Sequence, residues 1–278
     1  MTLIDVVVRA REVLLSPLLS SSGEAVLNNA EPAGPLLRGL ELAMALRRNA
    51  NALKAAAIDA EGRQVDYNRL RASDAYAALR RDLTPQLRSL DLSALTTREQ
   101  RLAFWINAYN ACTLKLILDH YPLKSIREIG LLPGAAFRER FIPLQSLRGQ
   151  VLSLNDIEHE ILRKELGEPR IHFAIVCASK SCPELRSEAY RAKTLDEQLT
   201  QAARSFISDP SKNRFDAAAR TLRLSPIFDW FRADFERSSA SLPAFVARYA
   251  EPAVATALSS GGEVRIEFLD YDWSLNGR

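Results

Sequence analysis

The pattern of hydrophobic and polar positions along the chain predicts more helices than strands. Residues 36–57 hold strong helix formers throughout, and a Thr cap followed by an acid at residues 96–99 predicts the start of another helix. This second helix is apolar nearly all round and ends near His120, so we expect it to be buried. Residues 155–166 and 195–208 are amphipathic and predict two further helices.

The signals for strands are fewer. Residues 170–177 form a near-continuous apolar run, which is typical of a strand covered on both faces. Residues 264–268 alternate between apolar and polar types, and residues 221–224 resemble a further strand. Because the helices outnumber the strands and do not alternate with them regularly, we predict an α+β fold that is mostly helical with a small mixed sheet.

The domain organisation follows from the length of the chain and from one linker signal. The chain has 278 residues, of which 47% are hydrophobic and 26% are charged, and this composition is ordinary for a globular protein. Residues 16–35 are rich in Ser, Gly, Pro and Asn and predict a linker. We therefore expect a helical N-terminal extension with this linker over residues 1–62 and one main domain over residues 63–278.

The charge and the N-terminal segment argue against a nucleic-acid-binding protein and against an exported or membrane-spanning protein. The net charge is +3, and basic residues are mixed with acids along the chain, so we expect no nucleic-acid partner. Asp5, Arg9 and Glu12 interrupt the N-terminal segment, which makes it a poor signal peptide and a poor transmembrane helix. We expect a cytoplasmic protein without a transmembrane segment. Export is not excluded if the native N-terminus differs from the one given. The sequence has no phosphate loop, dinucleotide glycine fingerprint or nucleophile-elbow serine.

The candidate chemistry lies in residues 170–185, which hold two of the three cysteines and one of the three histidines. Cys182 precedes Pro183, and proline is favoured in the first turn of a helix. The pattern therefore predicts that Cys182 caps a helix, where free backbone N–H groups and the helix dipole would stabilise a thiolate. The same N–H groups would suit a developing oxyanion. This environment favours Cys182 as a nucleophile; the alternative is a small buried cysteine in a tight turn.

The second cysteine of the segment, Cys177, is expected at the end of the predicted strand. There it shares a face with Ile171, Phe173 and Ile175, which favours a core position. Its spacing from Cys182 permits a disulfide without implying one, and it is not the Cys-x-x-Cys spacing of common redox pairs. A zinc site would lack a defined fourth ligand. We therefore expect neither a metal nor another cofactor.

A cysteine nucleophile needs a base or an ion-pair partner, and the chain has three histidines. His159 lies off the apolar stripe of the helix predicted at residues 155–166, so it points into a polar cleft or into solvent. His172 lies inside the predicted strand, on the opposite face from Cys177, and is expected to be buried. His120 lies at a helix end, where it would act as a structural cap. His159 is therefore the candidate base, and His172 is a supporting residue.

Two amides on the long predicted helix complete the candidate site. Asn107 and Asn110 are three residues apart, so they share a helix face, and buried amides need hydrogen-bond partners. They would anchor a loop, position a catalytic group or bind a substrate amide. Ser181, next to Cys182, is a further candidate for support or binding.

Several segments together resemble a known family. These segments are Phe104-Trp-Ile-Asn-Ala-Tyr-Asn-Ala111, Ser153-Leu-Asn-Asp-Ile-Glu-His159, Arg170-Ile-His-Phe-Ala174, Cys177-Ala-Ser179, Ser181-Cys-Pro183, Ile227-Phe-Asp-Trp-Phe231 and Tyr271-Asp-Trp273. In this order they resemble the family called domain of unknown function 547, over residues 63–275. The resemblance implies the fold unit and the positions of the site motifs. The family carries no established activity, and its members are sometimes fused to redox or signalling domains.

The leading functional hypothesis is a cysteine-dependent hydrolase or acyl-transferase. Cys182 would be the nucleophile, His159 the base, and Asn107 or Asn110 an orienting group. The ligand would be a small molecule or a peptide. Two alternatives stay open: a non-catalytic binding or scaffold domain with structural cysteines, and a thiol redox or sensing domain that uses Cys177 and Cys182.

Overall fold

A computed structural model describes residue 51 and residues 64–88, 91–144 and 150–277 of the chain. Nearly all of the predicted N-terminal extension, including its linker and most of the helix expected at residues 36–57, lies outside the described residues. None of the helices within the described ranges is long and apolar enough to span a membrane.

The described residues are mostly helical. The α-helices are α1 (Tyr67–Arg71), α2 (Asp74–Arg88), α3 (Arg98–His120), α4 (Ala135–Arg138), α5 (Leu195–Ile207), α6 (Ile227–Trp230), α7 (Arg232–Ser238), α8 (Leu242–Tyr249) and α9 (Pro252–Ser259). Short 3₁₀-helices lie at Leu92–Ala94, Ile126–Glu128, Pro169–Phe173 and Ala192–Thr194. A π-helix, in which backbone bonds span five residues instead of four, lies at Asp156–Glu165.

The strands form two small sheets. They are β1 (Ile142–Leu144), β2 (Gln150–Leu152), β3 (Arg214–Asp216), β4 (Thr221–Leu224) and β5 (Arg265–Phe268). β1 and β2 form an antiparallel pair. In the second sheet β4 is central; it pairs antiparallel with β3 and parallel with β5, so that Leu222 lies opposite Ile266. The prediction of an α+β fold with a small mixed sheet is confirmed.

The long helix α3 organises the core. The Thr97 side chain accepts a hydrogen bond from the Gln100 N–H, and the Gln100 side chain accepts one from the Thr97 N–H, which forms a capping box. Every residue from 102 to 118 is buried. The prediction of a buried helix over this segment is therefore confirmed.

Two hydrophobic clusters meet along residues 169–185. The first cluster surrounds α3. The second is rich in phenylalanine and lies between α5, α8 and β4. Ile171 packs into the first cluster, and Phe173, two residues later, packs into the second. The segment is therefore covered on two sides, which explains its continuous run of apolar residues.

The strand predicted at residues 170–177 is wrong. Pro169–Phe173 is a 3₁₀-helix, and the Glu168 side chain caps it by accepting from the Arg170 N–H. The chain then continues without a strand partner, because the Val176 N–H donates to the Asn110 side chain instead of to a neighbouring strand. The apolar run correctly predicted that these residues are buried, but burial on both sides does not by itself specify a strand.

The helix start predicted at Cys182 and Pro183 is also wrong. No helix begins there, and the Cys182 N–H donates to the Ser179 carbonyl in a turn. Residues 180 and 181 bond to the C-terminal segment instead: the Lys180 N–H donates to the Ser274 carbonyl, and the Ser181 N–H donates to the Asp272 carbonyl. These long-range bonds hold the chain in a turn, and the helix propensity of Pro183 is overridden.

Asn107 and Asn110 anchor loops to α3. The Asn110 amide donates to the Ala174 carbonyl and accepts from the Val176 N–H, both at 2.9 Å. In the same way the Asn107 amide donates to the Tyr190 carbonyl and accepts from the Tyr190 N–H, both at 2.9 Å. Each amide thus satisfies both backbone groups of a buried loop, which is the anchoring role among the three that the sequence left open.

We predict that Asn110→Ala lowers the free energy of unfolding by about 2–4 kcal/mol, because two hydrogen bonds are lost and buried backbone groups are left unpaired. Asn68→Ala, at an exposed position of α1, is the matched control and should change it by no more than about 0.5 kcal/mol. Urea unfolding of the three proteins measures the difference. Equal stabilities of the two variants would contradict the anchoring role.

Candidate functional site

The centre of the candidate site is a contact between two sulfur atoms. The Sγ atoms of Cys177 and Cys182 are 3.1 Å apart, and the Cys177 N–H donates to the Cys182 sulfur at 2.9 Å. Both cysteines are free thiols. The short loop between them includes Ala178 at a φ of 61°, a left-handed conformation that costs a non-glycine residue about 1–2 kcal/mol. This strained turn brings the two sulfurs together.

Hydrogen-bond donors surround the Cys177 sulfur. The Ser179 Oγ lies 3.0 Å from it, and the Tyr271 hydroxyl lies 3.3 Å from it. The Ser179 hydroxyl donates to the Tyr271 oxygen at 3.0 Å, which leaves the Tyr271 proton for the sulfur. Hydrogen bonds with Cys182, Ser179 and Tyr271 hold the pKa of Cys177 at about 7, below the ordinary 9.0, although burial opposes this shift.

The two thiols differ in their exposure and in the direction of their pKa shifts. Cys177 is half-buried, whereas only 5% of Cys182 is exposed. Burial raises the pKa of Cys182, and the neighbouring Cys177 thiolate raises it further. Because two thiolates in contact would repel each other, the two thiols do not ionise together, and the directions of their pKa shifts favour Cys177 as the one that ionises first. The sequence had favoured Cys182 as the nucleophile, but the structure places the more exposed thiol with the lower pKa at Cys177.

The two cysteines line a cleft of about 220 Å³, which we call the thiol cleft. Its aromatic lining consists of Tyr109, Phe137, Trp230, Phe231, Tyr271 and Trp273. Its polar lining consists of Asn155, Glu158, His159 and His172. No lysine or arginine is among the described residues that line it.

His159 reaches the thiol cleft, as the sequence favoured, but it is held by another partner. Its Nδ1 lies 3.0 Å from the Arg163 Nη1. Because an arginine only donates, this nitrogen accepts, and the proton of the neutral imidazole lies on Nε2. Burial lowers the pKa of His159. Within the described residues the ring makes no hydrogen bond to either sulfur, so the structure does not bring the expected base into contact with Cys182.

His172 is buried in a network of charged groups. Its Nε2 donates to the Asp234 carboxylate at 2.9 Å, and its ring stacks on Phe231 at 3.9 Å. Arg163 and Arg237 also donate to Asp234, at 2.5 and 2.6 Å. Since two arginines already balance the carboxylate, His172 need not be charged, and burial lowers its pKa to about 4. Arg163 links this network to His159.

Glu158 and Tyr271 belong to the site and were missed as candidates. Glu158 is buried in the cleft wall, where the Tyr109 hydroxyl donates to its Oε2 at 3.2 Å. Its acidic side chain is the only one among the described lining residues. Tyr271 lies in the segment Tyr271-Asp-Trp273, which is one of those that carry the family resemblance. The sequence did not reveal that Tyr271 contacts a cysteine 94 residues earlier.

The remaining candidates lie outside the cleft lining. Asn107 and Asn110 anchor loops, as described above. Ser181 accepts a hydrogen bond from the Asp272 N–H at 2.9 Å, so it holds the segment that carries Tyr271. His120 bonds to the Leu116 carbonyl at the end of α3. Within the described ranges, no group of three or more His, Cys, Asp or Glu residues is placed to hold a metal ion.

The comparisons with known proteins identify the class of domain. Residues 92–207 match the family described as protein of unknown function, DUF547. The chain therefore carries a DUF547 domain over these residues, and the resemblance seen in the sequence is confirmed there. No curated protein and no solved structure gave a significant match. The matched residues include both cysteines and His159, whereas Trp230, Tyr271 and Trp273 lie beyond them.

We predict that Cys177 reacts with iodoacetamide at a rate that reaches half its maximum near pH 7, because its thiolate forms with a pKa of about 7. In Cys182→Ala a donor to the sulfur is lost, so this midpoint should move upward towards 9. In Cys112→Ser, which alters a buried cysteine outside the site, it should not move. Mass spectrometry of the labelled peptides measures each rate. Faster labelling at Cys182 than at Cys177 would contradict the assignment.

Proposed function

We propose that the thiol cleft carries out dithiol–disulfide exchange, with Cys177 as the attacking thiol and Cys182 as the resolving thiol. The observation that carries this proposal is the 3.1 Å contact between a half-buried thiol of lowered pKa and a buried thiol of raised pKa. An attacking thiol works best when its pKa lies near the ambient pH, and Cys177 meets this condition.

The first step is attack by the Cys177 thiolate on one sulfur of a substrate disulfide. A bond forms between Cys177 and that sulfur, the substrate S–S bond breaks, and the leaving thiolate takes up a proton. In the second step Cys182 loses its proton and attacks the Cys177 sulfur, which releases the second substrate thiolate. The substrate disulfide gains two electrons and two protons, and the protein dithiol becomes a disulfide.

The burial of the two sulfurs supports this division of roles. Cys182 is less exposed to the cleft than Cys177 but touches the Cys177 sulfur, so it is suited to the second step. The Tyr271 hydroxyl and the Ser179 backbone N–H donate to the Cys177 sulfur and stabilise its thiolate without a histidine. Among the described residues His159 makes no hydrogen bond to either sulfur, which is compatible with exchange because exchange needs no general base at the attacking thiol.

Cysteine-dependent acyl transfer is the second candidate, because His159 and both cysteines line one cleft. In that reaction Cys177 would attack a carbonyl carbon. His159 would donate its Nε2 proton to the carbonyl oxygen instead of accepting one from the thiol, since its Nδ1 is engaged by Arg163. Turnover of an activated ester that persists in Cys182→Ser and is lost in Cys177→Ser would favour this candidate over exchange.

We predict that an excess of bis(2-hydroxyethyl) disulfide converts the wild-type chain to a form that has lost two hydrogen atoms, with a Cys177–Cys182 bond in its peptide map. With a peptide disulfide, Cys182→Ser should accumulate a mixed disulfide at Cys177, because the resolving thiol is missing. Cys112→Ser is the control and should form the internal disulfide as the wild type does.

The absence of any Cys177–Cys182 bond under these conditions would overturn the proposal. Such a result, with unchanged binding of a ligand in Cys182→Ser, would favour a binding domain with structural cysteines.

A further inference from the structure

An aromatic surface leads from the Cys177 sulfur to solvent. Tyr271 contacts that sulfur through its hydroxyl. Its ring lies 4.6 Å from the Trp273 ring and 4.9 Å from the Trp230 ring, between centroids. The Trp230 and Trp273 rings stack at 5.9 Å with an interplanar angle of 21°. These three residues form what we call the aromatic wall of the thiol cleft.

The outer end of the aromatic wall is exposed. Trp230 has 47% of its surface accessible. The other large apolar residues that are exposed among the described residues, Leu131, Val151 and Phe268, are not part of the cleft lining. Trp230 therefore offers a flat apolar face next to the reactive sulfur, and stacked neighbours hold it in place.

The charges of the cleft select against anions. Its described lining contains the acidic Glu158 and the Cys177 thiol, which is half ionised near pH 7, and no lysine or arginine. Arg163 is turned to Asp234 and His159, and Arg127 lies over the Trp273 ring, at 5.5 Å from its centroid. A substrate with carboxylates beside its disulfide would meet the negative charge of this lining, because Arg163 and Arg127 stack on its Phe231 and Trp273 rings and are not part of it.

The neutral polar groups of the cleft suit a peptide. With its Nδ1 engaged by Arg163, His159 presents an Nε2–H donor for a carbonyl oxygen. Asn155, on the same wall, supplies both a donor and an acceptor. An aromatic surface beside one or two neutral hydrogen-bonding groups is the usual composition of a site that orients an uncharged ligand.

We infer that the substrates of the thiol cleft are peptide disulfides in which an aromatic side chain neighbours the cysteine and no carboxylate does. The aromatic side chain packs on the exposed face of Trp230, and the adjacent peptide carbonyl accepts from His159. Glutathione disulfide, which is rich in carboxylates, is a poor substrate. This inference rests on the proposed exchange reaction and deepens it by naming the substrate class.

The test compares three oxidants of the reduced chain: the end-capped, uncharged disulfide of a Cys-Phe dipeptide, glutathione disulfide, and bis(2-hydroxyethyl) disulfide, which is uncharged and carries no aromatic group. We expect the Cys-Phe disulfide to react about tenfold faster than glutathione disulfide, because one stacked aromatic pair and one avoided charge repulsion together amount to about that factor. Stopped-flow mixing followed by acid quench and mass spectrometry gives each second-order rate constant.

Two variants assign the preference to particular residues. Trp230→Ala should lower the rate constant for the Cys-Phe disulfide about fivefold. Trp230→Phe should lower it by less than about twofold, since an aromatic face remains. Neither variant should change the rate with bis(2-hydroxyethyl) disulfide. Glu158→Gln should speed the reaction with glutathione disulfide. Phe268→Ala, at an exposed aromatic residue outside the cleft, is the matched control and should leave all three rates unchanged.

The results that would contradict this inference differ from those that would contradict the proposed function. If none of the three oxidants forms the Cys177–Cys182 bond, the exchange reaction itself is wrong. If all three form it, but the Cys-Phe and glutathione disulfides react at equal rates that Trp230→Ala does not alter, exchange stands and the assigned substrate class is overturned.

Discussion

The contact between the Cys177 and Cys182 sulfurs depends on a loop that is held from three directions. Asn110 on α3 fixes the chain just before Cys177, because it bonds both to the Ala174 carbonyl and to the Val176 N–H. The C-terminal segment fixes residues 180 and 181 after it. The left-handed turn at Ala178 closes the loop between these supports. A strained backbone of this kind persists only when its surroundings hold it, and such strain is often found at functional sites.

The polar groups around the loop keep charge at one sulfur. Ser179 and Tyr271 stabilise the thiolate of Cys177, while burial keeps Cys182 protonated. On the far side of the cleft, Arg163 and Arg237 neutralise Asp234, so that His172 stays uncharged within an aromatic environment. Through Arg163 the same network fixes the tautomer of His159. Of the two cleft thiols, Cys177 is therefore the one whose charge changes near neutral pH.

The sequence predicted those parts of the fold that are encoded locally. The apolar run and the cap at Thr97 were sufficient to predict α3, and alternation was sufficient to predict β5. The strand expected at residues 170–177 failed because its burial comes from two separate clusters and not from neighbouring strands. The helix expected after Cys182 failed because backbone bonds to residues 272 and 274 override a local preference.

The candidate site was also predictable only in part, because its residues are recognisable in the sequence but their contacts depend on distant parts of the chain. The sequence selected both cysteines and His159, and all three line the cleft. It ranked Cys182 above Cys177 as the nucleophile, whereas the structure favours the reverse order, because that order depends on burial and on a hydroxyl 94 residues away. It also could not foresee that Arg163 would occupy the His159 nitrogen, which requires the side-chain geometry of the π-helix.

The most direct test of the central claim is the reduction potential of the Cys177–Cys182 pair, measured by equilibrating the full chain in dithiothreitol and glutathione redox buffers. Donors that stabilise the Cys177 thiolate favour the reduced form, so the account predicts a reversible two-electron transition at a potential above about −300 mV, in the range of proteins that exchange disulfides. A pair that stays reduced in every buffer would contradict the account. A disulfide that resists reduction below about −300 mV, as structural disulfides do, would contradict it as well.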